Sequence, residues 1–268
     1  MTAITGRFDD ILARQQARRL KAAALLAVIL GLVAACGAYA QLFDLGRLRD
    51  GLPALGTLAG DMLPPDFHNM RNWLHPLLDT LAMSVAGTAL AVILSLPLGL
   101  AAARNTTPHP VVYQLARAAL NALRALPELI AGIIFVAAVG FGALPGVLAL
   151  GLHSVGMIGK FFAEAIEHCD DKPVEAARAT GATALQVIVH AVLPQVAPKL
   201  ADIALYRWEY NFRASTVMGM VGAGGIGFEL MGSLRLMQYQ EVSALLLVIL
   251  GMVTVVDLFG ARLRERLR

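Results

Sequence analysis

Residues 129–159 read LIAGIIFVAAVGFGALPGVLALGLHSVGMIG, 31 positions without a charged side chain. At 1.5 Å per helical residue, such a run far exceeds the roughly 30 Å hydrocarbon core of a bilayer. It is therefore too long for one span. Pro145, with Gly142 and Gly146 beside it, divides the run near its middle, which predicts a tight hairpin of two membrane helices. Extending the two legs into their charged ends gives spans over 114–140 and 144–165. Outward from this hairpin, 22–43 and 80–103 are uncharged runs on the N-terminal side, and 194–218 and 242–260 complete the set on the other. The predicted fold class is all-α: a polytopic integral membrane protein with six transmembrane helices.

Composition agrees. Hydrophobic side chains make up 57% of the 268 residues and charged ones 15%, with a mean hydropathy of +0.66. Soluble domains carry about 25% charge, and disordered chains are poor in Leu and Val, so both classes are excluded. The net charge of +3 and pI of 9.1 do not point to nucleic acid, because the cations sort by topology. With the N-terminus inside, thirteen fall on the inner side: Arg7, Arg14, Arg18, Arg19, Lys21, Arg104, Arg117, Lys172, Arg178, Arg262, Arg264, Arg266 and Arg268. Four fall outside, Arg47, Arg49, Arg71 and Arg235, and five lie within spans. Both termini are thus expected in the cytoplasm. Ala38-Tyr39-Ala40 imitates a cleavage site, but the preceding stretch is long for a signal peptide, so span one reads as a retained anchor. Cys36 and Cys169 would lie at different membrane levels, which predicts two free thiols and no metal site.

The inner loop between spans four and five is unusually well punctuated. Asp170 or Asp171 can cap a short helix, Pro173 sits in its first turn, and Gly181 can end it in the left-handed conformation. Thr183 and Gln186 have the spacing of a capping box that starts the next helix, which leads through Leu193-Pro194 into span five. Ala176, Ala177 and Ala179 leave little bulk on the short helix, while Glu175 and Arg178 carry charge. It reads either as a connector or as a knob that another protein approaches closely.

The run Glu175-Ala176-Ala177, three residues, Gly181, then Leu193-Pro194 resembles the EAA loop of permease subunits of ATP-binding-cassette importers; one departure is Ala191, where that pattern often has Ile. Two further stretches resemble the phosphonate importer permease family: Arg207-Trp208-Glu209-Tyr210-Asn211-Phe212-Arg213 with Val221-Gly222-Ala223-Gly224-Gly225-Ile226-Gly227, and His153-Ser154 with Gly159-Lys160 and Glu164-Ala165. The similarity runs from about Leu77 to the C-terminus. It implies a type I importer permease fold, divided into 1–76 (cytoplasmic N-terminus, first span, periplasmic segment) and a core of 77–268 with a coupling helix at 170–182. It also implies a bacterial inner-membrane homodimer, two ATPase subunits beneath it that bind ATP and magnesium, and a periplasmic phosphonate-binding protein above. Glu175, Ala176, Ala177, Arg178, Gly181, Leu193 and Pro194 would carry coupling. The chain has no Gly-x-x-x-x-Gly-Lys-Ser/Thr loop, so no cofactor is expected in it. The cargo would be phosphonate, phosphite or a related oxyanion. Methionine on the same scaffold, or less readily an ion-driven secondary carrier, is the alternative.

Charges inside spans are expensive and mark either a pathway or a partner. Glu209 with Arg213 and Lys160 with Glu164 are four apart with the acid and base on one helical face, and Arg124 with Glu128 repeats the spacing. Either these pairs neutralise one another, or Arg124, Lys160, Arg207 and Arg213 ease the passage of an oxyanion. Gly222, Gly224 and Gly227 fit a dinucleotide-binding pattern, but no strand precedes them and no acid follows at the required distance. With Gly225 they read instead as a flexible turn at the outer mouth, a candidate gate. Residues 43–75 read as a solvated outer connector able to meet a binding protein, with Trp73 and Tyr39 as aromatic anchors. Ser154 beside His153 lacks a third partner, so no catalytic site is expected.

Overall fold

The computed structural model describes residues 2–267; Arg268, one of the cations assigned to the inner side, lies outside the described residues. Eleven α-helices follow in order among the described residues: α1 Thr2–Tyr39, α2 Leu45–Asp61, α3 Leu74–Ala102, α4 Pro110–Ala125, α5 Glu128–Val139, α6 Ala143–Glu167, α7 Asp171–Ala179, α8 Ala184–Val187, α9 Leu193–Met218, α10 Ile226–Arg235 and α11 Tyr239–Leu267. No strand occurs among the described residues.

Among the described residues, five helical segments are long and apolar enough to cross a bilayer: Arg18–Tyr39, Leu74–Ala102, Ala143–Glu167, the α8–α9 run Ala184–Ala223, and Tyr239–Arg266. The sixth expected span is not a straight helix. α4 and α5 meet at an 85° bend. Pro127 is the cause: it has no N–H to donate, and it forces Leu126 out of helical geometry, to φ −79° and ψ 117°. The hairpin turn also differs in detail from its expected form. Gly140 (φ +90°) and Gly142 (φ +127°) make the turn, and Pro145 sits within the first turn of α6, where it interrupts no hydrogen bond.

The chain divides at residue 60, so the segment 61–76, assigned by sequence to the N-terminal part, packs with the second unit. In the first unit, the apolar side chains of α1 such as Leu25, Val28 and Leu32 are exposed, the surface a lipid-facing anchor presents. α2 replaces part of the expected connector. Asp44 caps it, its Oδ1 accepting from Arg47 N at 3.1 Å, and Leu45, Leu52, Leu55 and Leu58 recur at helical spacing.

In the second unit, α3 and α6 pack along their lengths through small residues. A Cβ on Gly99 would lie 2.9 Å from Phe162 Cβ, and one on Gly151 would lie 2.8 Å from Leu90 Cδ2, so backbones approach where lipid gives helices no hydrophobic reason to associate. Three buried clusters stack along the bundle. Leu120, Ile158, Phe162, Ile166, Val192 and Val196 fill one end, and Met83, Leu150 and Met218 the middle. Trp73, Ile226, Ala244 and Leu245 close the other end. Trp73, 1% exposed, is therefore a core residue rather than an interface anchor.

Candidate functional site

The short inner helix forms as its punctuation requires. Asp170 Oδ1 accepts from Lys172 N at 3.1 Å, which caps α7, and Gly181 follows it at φ +81°. Both halves of the capping box are present, Thr183 N donating to Gln186 Oε1 at 2.8 Å and Gln186 N to Thr183 Oγ1 at 3.5 Å. Before Leu193 the helix widens for one π-type turn, Ile188–Val192, ahead of Pro194, which has no N–H for a regular ladder.

One face of α7 is anchored and the other free. Val174 is buried in the α3–α6–α9 cluster, while Glu175, Ala176 and Arg178 are exposed and Ala177 is half-buried. Gln195 holds the start of α7 to the start of α9: its Oε1 accepts from Asp170 N at 3.0 Å, and its Nε2 donates to Asp170 O at 3.3 Å. A second clasp joins α3, α4 and α6, where Glu167 Oε1 accepts from Arg104 N at 3.0 Å and from Arg117 Nη2 at 2.9 Å. The knob and span five are thus one mechanical piece. Both cysteines are free; the Cys169 thiol is pushed above its ordinary value, by burial first and by Asp171 second, and stays protonated near neutral pH.

Of the three charge pairs read from spacing, only Lys160 with Glu164 forms, at 3.5 Å. Glu209 is instead 2.7 Å from Arg264, and Arg213 Nη1 reaches both oxygens of Asp257 at 3.1 and 3.2 Å. Arg124 and Glu128 stand on opposite sides of the 85° bend and make no pair; Arg124 instead lies against Gly156, where a Cβ would fall 2.9 Å from its backbone nitrogen. Glu128, at the start of α5, has Tyr210 Oη donating to its Oε1 at 3.1 Å, with Arg207 at 4.0 Å and His153 at 3.9 Å. The bend separates Arg124 from Glu128, and on α9 the charges take the partners that the tertiary fold brings near, Asp257 and Arg264 of α11.

The glycine-rich stretch is a turn, as expected, but a packed one rather than a loose one. Gly222, Gly224 and Gly225 adopt φ of +106°, +77° and +71°, and Thr80 Oγ1 accepts from Ile226 N at 2.9 Å. Gly142 N donates to Gly222 O at 3.3 Å, tying this turn to the α5–α6 hairpin. Gly227 faces the backbone of Thr216 so closely that no Cβ fits. Gly227→Ala is therefore expected to destabilise the chain by roughly 1–3 kcal/mol or more, seen as a lower melting midpoint in detergent; an unchanged midpoint would refute this packing.

A cleft of about 910 Å³ lies between α6 and α9, running from His168 and Asp170 to Arg207, with Glu209 and Arg264 on its wall. Most of its charges are matched, Lys199 with Asp202 at 3.4 Å and Arg264 with Glu209. The cleft joins the anchored side of the knob to the buried charges of span five.

The family model described as "binding-protein-dependent transport system inner membrane component" matches residues 95–268. The chain is 68% identical over 91% of its length to the phosphite transport system permease protein PtxC of Stutzerimonas stutzeri, covering 88% of that protein. It is 44% identical over 81% of its length to the phosphate-import permease protein PhnE of Mycolicibacterium smegmatis, covering 41% of that longer protein. Among solved structures, an inward-facing MetNI methionine ABC transporter superposes on 76% of the chain with a TM-score of 0.67 at 22% identity. A bacterial alginate ABC importer gives 0.62 at 15% identity over 80% of the chain. These two establish likeness of fold.

Proposed function

Because this chain belongs to the family of binding-protein-dependent transport system inner membrane components, we propose that its cargo is phosphite or a closely related phosphorus oxyanion. The chain is a multi-pass inner-membrane permease subunit of an ABC importer, and the ATPase activity of such an importer is supplied by separate subunits. The observation that carries the cargo is the 68% identity over 91% of the chain to a phosphite transport permease. Methionine rests on likeness of fold at 22% identity and on a D-methionine transport permease of Pasteurella multocida 26% identical over 70% of the chain, far below the identity to the phosphite permease.

The exposed face of α7, with Glu175, Ala176, Ala177, Arg178 and Gly181, is the proposed seat of the ATPase, with Leu193-Pro194 passing its movement into α9. The small side chains admit close approach, and the Gln195 clasp supports transmission without slack. Glu128 and Arg207 are the favoured pathway charges, since their ion pair, at 4.0 Å, is looser than those of Lys160, Glu209 and Arg213 and leaves an atom of each without a hydrogen bond. Lys160, Glu209 and Arg213 act as structural ions, each held by an opposite charge. The turn at Gly222, Gly224, Gly225 and Gly227 is the proposed outer gate, moving as a packed unit. ATP and magnesium belong to the ATPase subunits. The permease pairs with a second copy of itself, and both termini face the cytoplasm, as the sorted cations require. Three distinct permeases of Stutzerimonas stutzeri named for phosphite transport, PtxC, HtxC and HtxE, make a mixed pair the alternative that the mass of the purified complex tests.

Reconstitution with the cognate ATPase and binding protein tests the cargo. ATP-dependent accumulation of phosphite, with no accumulation of methionine, is the expected result. Methionine uptake without phosphite uptake would contradict it.

A further inference from the structure

We propose that Arg207 is an oxyanion contact within the α6–α9 cleft, presented by a relay of buried side chains from three helices; this deepens the reading of oxyanion import and rests on it. Arg207 is 6% exposed and lies half-way along the bundle. Its Nε donates to Ser154 Oγ at 2.9 Å, Ser154 Oγ donates to Asn211 Oδ1 at 3.0 Å, and Asn211 Nδ2 donates to Thr88 Oγ1 at 2.9 Å. Thr88 Oγ1 closes the chain on Ser84 O at 2.7 Å. Ser154, Asn211 and Thr88 are each at least 93% buried, so every donor and acceptor in the relay has one available direction. The guanidinium also lies over the Tyr210 ring, 4.1 Å from its centre.

The far end of the guanidinium is left unfilled. Nη2 has no hydrogen-bond partner among the described residues, and neither has Glu128 Oε2, 4.0 Å away. Leaving a buried donor of a cation unfilled is costly, and Glu128 at 4.0 Å offsets that cost by charge alone. Other cations on the cleft wall are engaged, Arg264 with Glu209 at 2.7 Å and Lys199 with Asp202 at 3.4 Å. Arg207 Nη2 is buried against Glu128 without a hydrogen bond, so an acceptor arriving along the cleft wall that this residue lines would take it from Glu128, and a tetrahedral oxyanion suits the planar donor fork. Glu128 keeps the contact weak. Its carboxylate repels the anion and competes for the same nitrogen, which favours the release that transport needs. Ser154, Asn211 and Thr88 are positioning residues acting through Arg207.

The test is thermal melting of the purified transporter complex with phosphite, orthophosphate or sulfate as probe, against chloride at equal ionic strength. Oxyanions should raise the wild-type midpoint above chloride, as ligands of the folded state do. Ser154→Ala, which removes one charge-assisted hydrogen bond, should raise the half-saturating anion concentration about tenfold. Arg207→Gln should abolish the increment, and Arg207→Lys should retain part of it. If Arg207→Gln does not accumulate, Arg207→Lys and Ser154→Ala carry the test. A merely structural relay would lower the midpoint in chloride yet leave the oxyanion increment intact. That result, or a wild type indifferent to oxyanions, overturns the proposal. Oxyanion stabilisation without phosphite uptake in vesicles would instead overturn the assigned cargo and leave the site standing.

Discussion

Ala176→Arg is expected to cut ATP-driven uptake by roughly 5- to 150-fold while the chain still inserts and melts like the wild type. Ala176 lies on the exposed face of α7, so the larger side chain disturbs no packing within the chain. Against a closely seated partner, a bulky cation costs about 1–3 kcal/mol of docking, which converts to that range. Co-purification of the ATPase subunits should fall in parallel. Gly181→Val approaches the same loss by another route, since at φ +81° a β-branched residue is strained by roughly 1–2 kcal/mol. It should lower the melting midpoint slightly, and Ala176→Arg should not. Wild-type uptake by Ala176→Arg would remove this face from the coupling surface.

Arg264→Ala is expected to have the largest effect on stability. Glu209 is 5% exposed, and Gly260 of α11 lies against it so closely that no Cβ fits. The Arg264 contact, 2.7 Å from Glu209 Oε1, leaves that oxygen without a well-angled hydrogen bond, so the carboxylate depends on charge alone. Removing the cation strands a buried carboxylate at a cost of about 3–5 kcal/mol, or a melting midpoint roughly 6–20 °C lower. Glu209→Gln in the same chain should recover most of the loss by removing the orphaned charge. If the double variant melts as low as Arg264→Ala alone, the loss comes from packing of the Arg264 stem rather than from charge.

Much of the fold was legible because membranes punish exposed backbone and charge, so long uncharged runs have few readings. The inner loop was legible to the residue, since Asp170, Gly181, Thr183 and Gln186 each act on their own backbone within a few positions. What escaped came from elsewhere. Pro127 lies between Arg124 and Glu128, whose spacing reads as one helix, and its 85° bend follows from an N–H it lacks rather than from any change in hydropathy. α2 was hidden by Pro53 and four glycines, although Asp44 and the spaced leucines signalled it. The ion pairs were misassigned because i,i+4 spacing describes one isolated helix, whereas Asp257 and Arg264 reach α9 only once the bundle forms. Asp257 within an otherwise apolar span was the available signal, because a charge there needs a partner. Thr88, Ser154 and Asn211 offered less, since small polar residues in membrane helices serve packing as often as a site.

Photo-crosslinking from position 176 of the fully assembled importer tests the central claim most directly. A probe on the outward face of α7 is predicted to form its dominant adduct with an ATPase subunit, and to do so in both nucleotide-free and ATP-bound states. Adducts confined to lipid or to the permease itself, in a complex that still hydrolyses ATP, would contradict it.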